Sequence, residues 1–150
     1  MDKVRFYTVL FLALIGIFII DQNIKQLFLD GYRWYSECID LILVYNKGVA
    51  FSMFAFLGAY LKYIQVTLIL SVLIYFVVKR EICYAFPGGI LVGAALSNLY
   101  DRFVHEGVVD MVYWHCGFDF AVFNFADVMI DFAVVYFLIL NFKPQLCKAN

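Results

Sequence analysis

The sequence predicts an all-α membrane protein: four transmembrane helices with a small extracytoplasmic β cradle and loops. Three observations predict it. Hydrophobic residues make up 65% of the chain and charged residues only 15%, whereas soluble domains run near ~45–50% apolar and ~25% charged. The apolar residues gather in four long runs. The ionisable and amide side chains gather at the borders of those runs, most densely over residues 98–131. Ionisable groups beside membrane-grade sequence are expensive, so their default reading is a functional site.

The 150 residues predict one domain, 1–150. A net charge of −1 excludes a broad basic surface for nucleic acid. There is no zinc-finger spacing, no P-loop and no glycine-rich dinucleotide fingerprint.

The first span covers about residues 5–21. Lys3 and Arg5 followed by an apolar run also resemble a signal peptide, but no small-x-small cleavage site follows Ile20, so an uncleaved helix is expected. Its length approaches the ~20 residues that cross the hydrocarbon core. Asp21 and Lys25 then fall at i, i+4 on one helical face, placed either for a salt bridge or as a solvated helix end.

Residues 31–56 are the least membrane-like part. The β-forming Ile39-Asp40-Leu41-Ile42-Leu43-Val44, the turn signal Asn46-Lys47-Gly48 and the following 49–54 predict two short strands around a turn. Asn46 and Lys47 are turn formers on one account and line a cleft on the other.

The second span covers about 61–78 and stops at Lys79-Arg80-Glu81. The third covers about 84–101, with Pro87 expected in its first turn, where a missing N–H costs little. Gly89 and Gly93 have the spacing that lets another helix approach closely. The fourth covers about 120–142 and ends before Pro144.

Four spans put both termini on one side. Lys3, Arg5, Lys79, Arg80, Lys143 and Lys148 cluster there near span ends, while the other side carries most of the acids. The density of Lys and Arg near span ends predicts cytoplasmic termini, with the 98–127 stretch at the outer face. Cys38, Cys83, Cys116 and Cys147 form no close pair in sequence and point to neither metal nor redox chemistry. Buried or lipid-facing thiols are expected. Cys38 and Cys116 share the predicted outer side, where a disulfide is allowed but not shown by spacing.

Asn98 and Arg102 share a helical face, as do Asn98 and Asp101, and Asn124 and Asp127. The returning loop carries Asp110, long enough to reach Asp127 at the membrane boundary. Two carboxylates in a partly desolvated site hold one proton between them, because both cannot ionise cheaply. Such a pair can activate water and protonate a carbonyl, as in aspartic proteases. Paired membrane carboxylates also serve proton relays and ion pathways, or simple ion pairing. An enzyme, a proton-coupled transporter or channel subunit, and a structural role therefore all remain open. A metal site drawn from His105, Asp110, His115, Cys116 and Asp119 is a weaker alternative without a known ligand spacing. No serine stands in a nucleophile-elbow motif.

Five ordered motifs resemble the bacterial lipoprotein signal peptidases, also called prolipoprotein or type II signal peptidases. They are Asp21-Gln22-Asn23-Ile24-Lys25, Asn46-Lys47-Gly48-Val49-Ala50-Phe51-Ser52, Ala94-Ala95-Leu96-Ser97-Asn98-Leu99-Tyr100-Asp101-Arg102, Gly107-Val108-Val109-Asp110 and Phe123-Asn124-Phe125-Ala126-Asp127. The resemblance covers nearly the whole length. It implies a membrane aspartic endopeptidase with Asp110 and Asp127 as catalytic dyad. Asp21, Lys25, Asn46, Asn98, Asp101, Arg102 and Asn124 match positions that orient the dyad or contact substrate. The implied partners are a diacylglyceryl-modified prolipoprotein, cut just before its lipidated cysteine, and membrane lipids. No metal or organic cofactor is implied. A monomer in the bacterial cytoplasmic (inner) membrane is expected. Ala95, Ser97 and Val49 depart from the usual residues, and Asp131 is a carboxylate the motif does not require. A noncatalytic lipoprotein-binding homologue is a third reading, which the intact dyad residues disfavour.

Overall fold

The computed structural model describes residues 2–48 and 60–148. In chain order the elements are α1 (Asp2–Leu29), β1 (Ile39–Asn46), α2 (Tyr60–Lys79), α3 (Ile82–Val104), β2 (Val108–Trp114), α4 (Phe125–Phe142) and the short α5 (Gln145–Lys148). α1 to α4 are long and apolar enough to cross a membrane. Their outward faces carry large apolar side chains such as Leu12, Ile19, Leu68 and Val135, as bilayer contact requires.

α1 runs past the expected end at residue 21. Nothing between Asp21 and Leu29 breaks a helix, and the stop comes only at Gly31. There Tyr32 N–H donates to Leu27 O and Gly31 N–H to Phe28 O, a Schellman closure with Gly31 at φ 103°. Asp21, Gln22 and Lys25 are therefore helical side chains, not a frayed end.

α3 is the most buried of the long helices and packs against α1, α2 and α4. A Cβ on Gly89 would fall on the Leu10 carbonyl of α1, and one on Gly93 on that of Leu14. The small residues thus set the α1–α3 approach. Phe76 of α2 stacks on Phe137 of α4 at 5.5 Å between centroids, over the start of α3. Pro87 lies inside α3 rather than in its first turn, because the helix begins two residues earlier, at Ile82. α4 begins at Phe125, five residues later than its apolar run. Phe123 is instead bridged to Val112, and Asn124 caps the helix.

β1 does not take its partner from the adjoining turn. It pairs antiparallel with β2, Val44 opposite Asp110 and Asn46 opposite Val108, with an irregularity between Leu41 and Val44. The expected second strand at 49–54 lies outside the described residues. Val109 and Met111 of β2 pack with Phe28 of α1, so the sheet rests on the end of the helical bundle.

The expectation of unpaired thiols fails for all four cysteines. The strand pairing brings Cys38 to Cys116, Cα to Cα 4.4 Å, as a disulfide. α5 folds back against the start of α3 and joins Cys147 to Cys83 at 5.2 Å. Both pairs are long-range, separated by 78 and 64 residues, which spacing cannot reveal.

Candidate active site

Asp110 comes from β2 and Asp127 from the first turn of α4, and both line one pocket of about 480 Å³. Asn46, Asn98 and Arg102 line it too. A larger cavity of about 590 Å³ lies between α2, α3 and α4 but is lined by no carboxylate.

Asn124 fixes Asp127 through the backbone. Its side chain accepts from Asp127 N–H at 2.9 Å, and its own N–H donates to Asp127 Oδ2 at 3.1 Å. This capping box starts α4 and orients the carboxylate with the same two bonds. The other carboxylate oxygen, Oδ1, accepts from Asn98 Nδ2 at 2.9 Å.

Asp110 also receives two amide donors. Asn124 Nδ2 reaches Oδ1 at 2.7 Å, and Asn46 Nδ2 reaches Oδ2 at 3.0 Å. Asn46 meanwhile accepts from Gly48 N–H at 3.0 Å, so it is both turn former and pocket wall. Burial, and next the charge of Asp127, push the Asp110 carboxyl up to about 7; the Asn46 and Asn124 hydrogen bonds and Lys25 oppose the rise. At neutral pH this carboxyl is therefore poised between its two protonation states.

Behind the carboxylates lies an ion cluster. Lys25 Nζ is 2.6 Å from Asp21 and 2.7 Å from Asp101, and all three side chains are at most 1% exposed. Lys25 also donates to Asn98 Oδ1 at 2.9 Å. A lysine can only donate, so this bond fixes the Asn98 amide with its NH₂ toward Asp127. Asp21 accepts from Ala126 N–H at 2.8 Å and from Ser97 Oγ at 2.6 Å. Asp101 accepts from Val109 N–H at 3.1 Å. The cluster thus ties α1 and α3 to the strand residue before Asp110 and the helix residue before Asp127. The solvated-end reading of Asp21 and Lys25 is overturned by their burial.

Arg102 donates to the Gly48 carbonyl rather than pairing with Asp101, whose partners are Lys25, Gln22 and Val109 N–H. It anchors the chain just after Asn46 beside the pocket.

All nine residues singled out from the sequence, namely Asp21, Lys25, Asn46, Asn98, Asp101, Arg102, Asp110, Asn124 and Asp127, belong to this one constellation. Two members were missed. Gln22 Nε2 donates to Ser97 Oγ and to Asp101 Oδ1, each at 2.8 Å. Ser97, where a small residue is usual, supplies a hydroxyl to Asp21. Gln22 stands in the first motif, and its place beside Asp21 was the available signal.

The weaker metal-ligand set is dispersed. Cys116 is bonded to Cys38, and His115 Nε2 lies 3.4 Å from Asp40 without hydrogen-bond geometry. Asp119 accepts from the Tyr113 hydroxyl at 2.7 Å. Among the described residues no three His, Cys, Asp or Glu side chains gather as ligands.

A family model described as signal peptidase (SPase) II matches residues 13–143. A lipoprotein signal peptidase of Sulfurimonas denitrificans is 70% identical, over 97% of this chain and 95% of its own. Another, from a Sulfurovum species, is 63% identical over 91% and 94%. A solved structure described as a bacterial membrane enzyme shares the fold at a TM-score of 0.76, with 22% identity over 89% of this chain and 87% of its own. The chain is a multi-pass membrane protein, and it belongs to the signal peptidase II family.

Proposed function

We propose that Asp110 and Asp127 are the catalytic dyad of an aspartic-type peptidase that removes the signal peptide from a diacylglyceryl-modified prolipoprotein, just before its lipidated cysteine. That the chain is a protease of lipoprotein maturation follows from its family and from relatives matched over nearly their whole length. The aspartic mechanism rests on one observation: two carboxylates in one pocket, each held by amide donors, with Asp110 raised to about 7.

The dyad starts with one shared proton. The ionised Asp takes a proton from water as the water oxygen attacks the scissile carbonyl, while the protonated Asp donates to the carbonyl oxygen. The resulting tetrahedral diol collapses. Its C–N bond breaks, a proton passes to the leaving amine, the diol returns one proton to the dyad, and the dyad again holds one. Asn98 and Asn124 keep both carboxylates oriented through this exchange, and Lys25 with its partners holds Asn98.

The site's position at one end of the bundle suits a substrate whose lipid tails and signal segment stay in the bilayer. Confinement of both molecules to one plane raises their effective concentration. The Lys and Arg distribution supports cytoplasmic termini in the inner membrane, with the pocket at the outer face. One chain supplies the whole constellation, so a monomer suffices. The transporter alternative has no support among the relatives, which are named as peptidases.

The test is cleavage of a lipidated prolipoprotein by purified protein in detergent. The native chain is expected to cut it and a folded Asp127→Asn variant is not. Residual cleavage by that variant at even a tenth of the native rate would reject the dyad.

A further inference from the structure

The cavity of about 590 Å³ between α2, α3 and α4 lies away from the dyad and plays no part in the reaction above. Both α2 and α4 pack on α3, but they scarcely meet each other beyond the Phe76–Phe137 stack. Tyr75, Val134 and Leu138 of its walls stay exposed, so the space opens sideways as a cleft. In a membrane-spanning bundle that direction faces lipid.

The cleft follows α2 from Ser71 toward Lys79, and the helix axis advances ~12 Å between them. The hydrocarbon of one leaflet is ~15 Å deep. The cleft thus tracks most of the path of one acyl chain, and its deeper wall is apolar, with Val72, Leu91 and Val134.

Its rim is basic. Lys79 stands at i, i+4 from Tyr75 on one stripe of α2, Arg80 follows it, and Lys143 caps α4 just beyond Asn141. All three are exposed. Arg80 Nε donates to the Val77 carbonyl at 2.9 Å, which leaves its terminal amino groups to meet a ligand. The ion pairs of the described residues lie around the dyad and on the sheet, so these cations have no acidic partner. Glu81 adds one negative charge, and the rim stays positive. Tyr84 and Asn141 line the mouth with a hydroxyl and an amide that hydrogen-bond to no described group. A second helix seated here would cover the apolar wall and leave the cations unmatched. A zwitterionic head would bring its own cation to a positive rim.

We propose that this cleft binds an anionic glycerophospholipid. One acyl chain lies between α2 and α4, and Lys79, Arg80 and Lys143 hold the phosphate. Tyr84 and Asn141 donate to its phosphate or ester oxygens. The site is at the end of the bundle opposite the dyad and does not depend on the peptidase reading.

The full chain, stripped of lipid in neutral detergent, is titrated with phosphatidylglycerol or phosphatidylcholine of identical acyl chains. Native mass spectrometry counts the lipid bound. One phosphatidylglycerol is expected to bind about tenfold more tightly than phosphatidylcholine. Lys79→Gln with Lys143→Gln should bring that ratio to about one. Lys3→Gln with Arg5→Gln, on α1 and off the cleft, should leave it unchanged. Val134→Trp fills the cleft with every charge in place and should weaken phosphatidylglycerol about tenfold. Leu138→Trp reads the same wall should Val134→Trp fail to fold. Equal native affinity for the two lipids overturns the proposal. So does a ratio lowered alike by both charge pairs, the mark of a diffuse basic surface. Phosphatidylglycerol binding unchanged by filling the cleft overturns it too. Because bound lipid is the readout, failure of the peptidase reading would leave this result standing.

Discussion

Replacing Asp110 by asparagine should do two separable things: end cleavage, and change the sign of its effect on stability with pH. The folded Asp110 carboxyl titrates at about 7, against an ordinary value of 3.8. Between those two values the folded state holds the proton more tightly than the unfolded chain. Stability therefore falls as pH rises through that window, by ~1.4 kcal/mol per pH unit. Over the whole window the fall amounts to ~4 kcal/mol, an order-of-magnitude figure for a group 1% exposed. Asparagine has no such titration. It carries a cost of its own, since Asp110 accepts from two amides, Asn46 and Asn124. An Asn amide has one oxygen to offer them, and leaving a buried donor unmet costs ~1–3 kcal/mol. The variant should thus be less stable than the native protein near pH 5 and more stable near pH 8. Thermal unfolding in detergent at half-unit pH steps reads the difference in Tm, and the cleavage assay at the same steps reads activity. Native kcat/KM should fall on the alkaline side of about pH 7, as the shared proton is lost. A Tm difference that does not vary between pH 5 and 8 would refute the raised carboxyl. Cleavage by the variant would refute the dyad.

Lys25→Met leaves Asp21 and Asp101 facing each other in a buried site without their cation, and should cost ~3–5 kcal/mol of stability. Adding Asp21→Asn should recover part of that loss; a single variant within ~1 kcal/mol of native would show the cluster to be dispensable. The orientation is checked by the two cysteine pairs. Cys38–Cys116 lies on the sheet and Cys83–Cys147 at the opposite end of the bundle, beside the C-terminus. Both pairs are bonded in the structure; with cytoplasmic termini the Cys83–Cys147 pair should be held reduced in living cells, so a membrane-permeant alkylator without added reductant should label Cys83 and Cys147 and spare Cys38 and Cys116. The reverse pattern would invert the topology.

The helices and the carboxylates were legible because their signals are local. Apolar length marks a span, and i, i+3 or i, i+4 spacing puts Asn98 with Arg102, and Asn124 with Asp127, on shared faces. The partner of β1 was not legible. Val108–Trp114 is a run rich in β-formers lying between two spans, and nothing near it in sequence says that it pairs with Ile39–Asn46. The nearer stretch at 49–54 offered a more economical hairpin. Disulfide partners fail to show for the same reason, being set by strand register and by the return of α5.

The end of α1 illustrates a different limit. Asp21 and Lys25 look like the polar fringe of a span because single-sequence reasoning assumes that charges mark water. Here three charged side chains share one dry site. Each is tolerable only because the others, with Ser97, Gln22 and two backbone N–H groups, saturate it. The two N–H groups belong to Val109 and Ala126, each one residue before a pocket carboxylate. Burying the cluster therefore fixes the backbone from which Asp110 and Asp127 project, and adds α1 and α3 to the direct ties that Phe123 and Asn124 make between β2 and the start of α4. The cost of desolvating three ions is set against the precision with which two others meet. On this account the distance between the dyad carboxylates is a property of α1 as much as of β2 and α4.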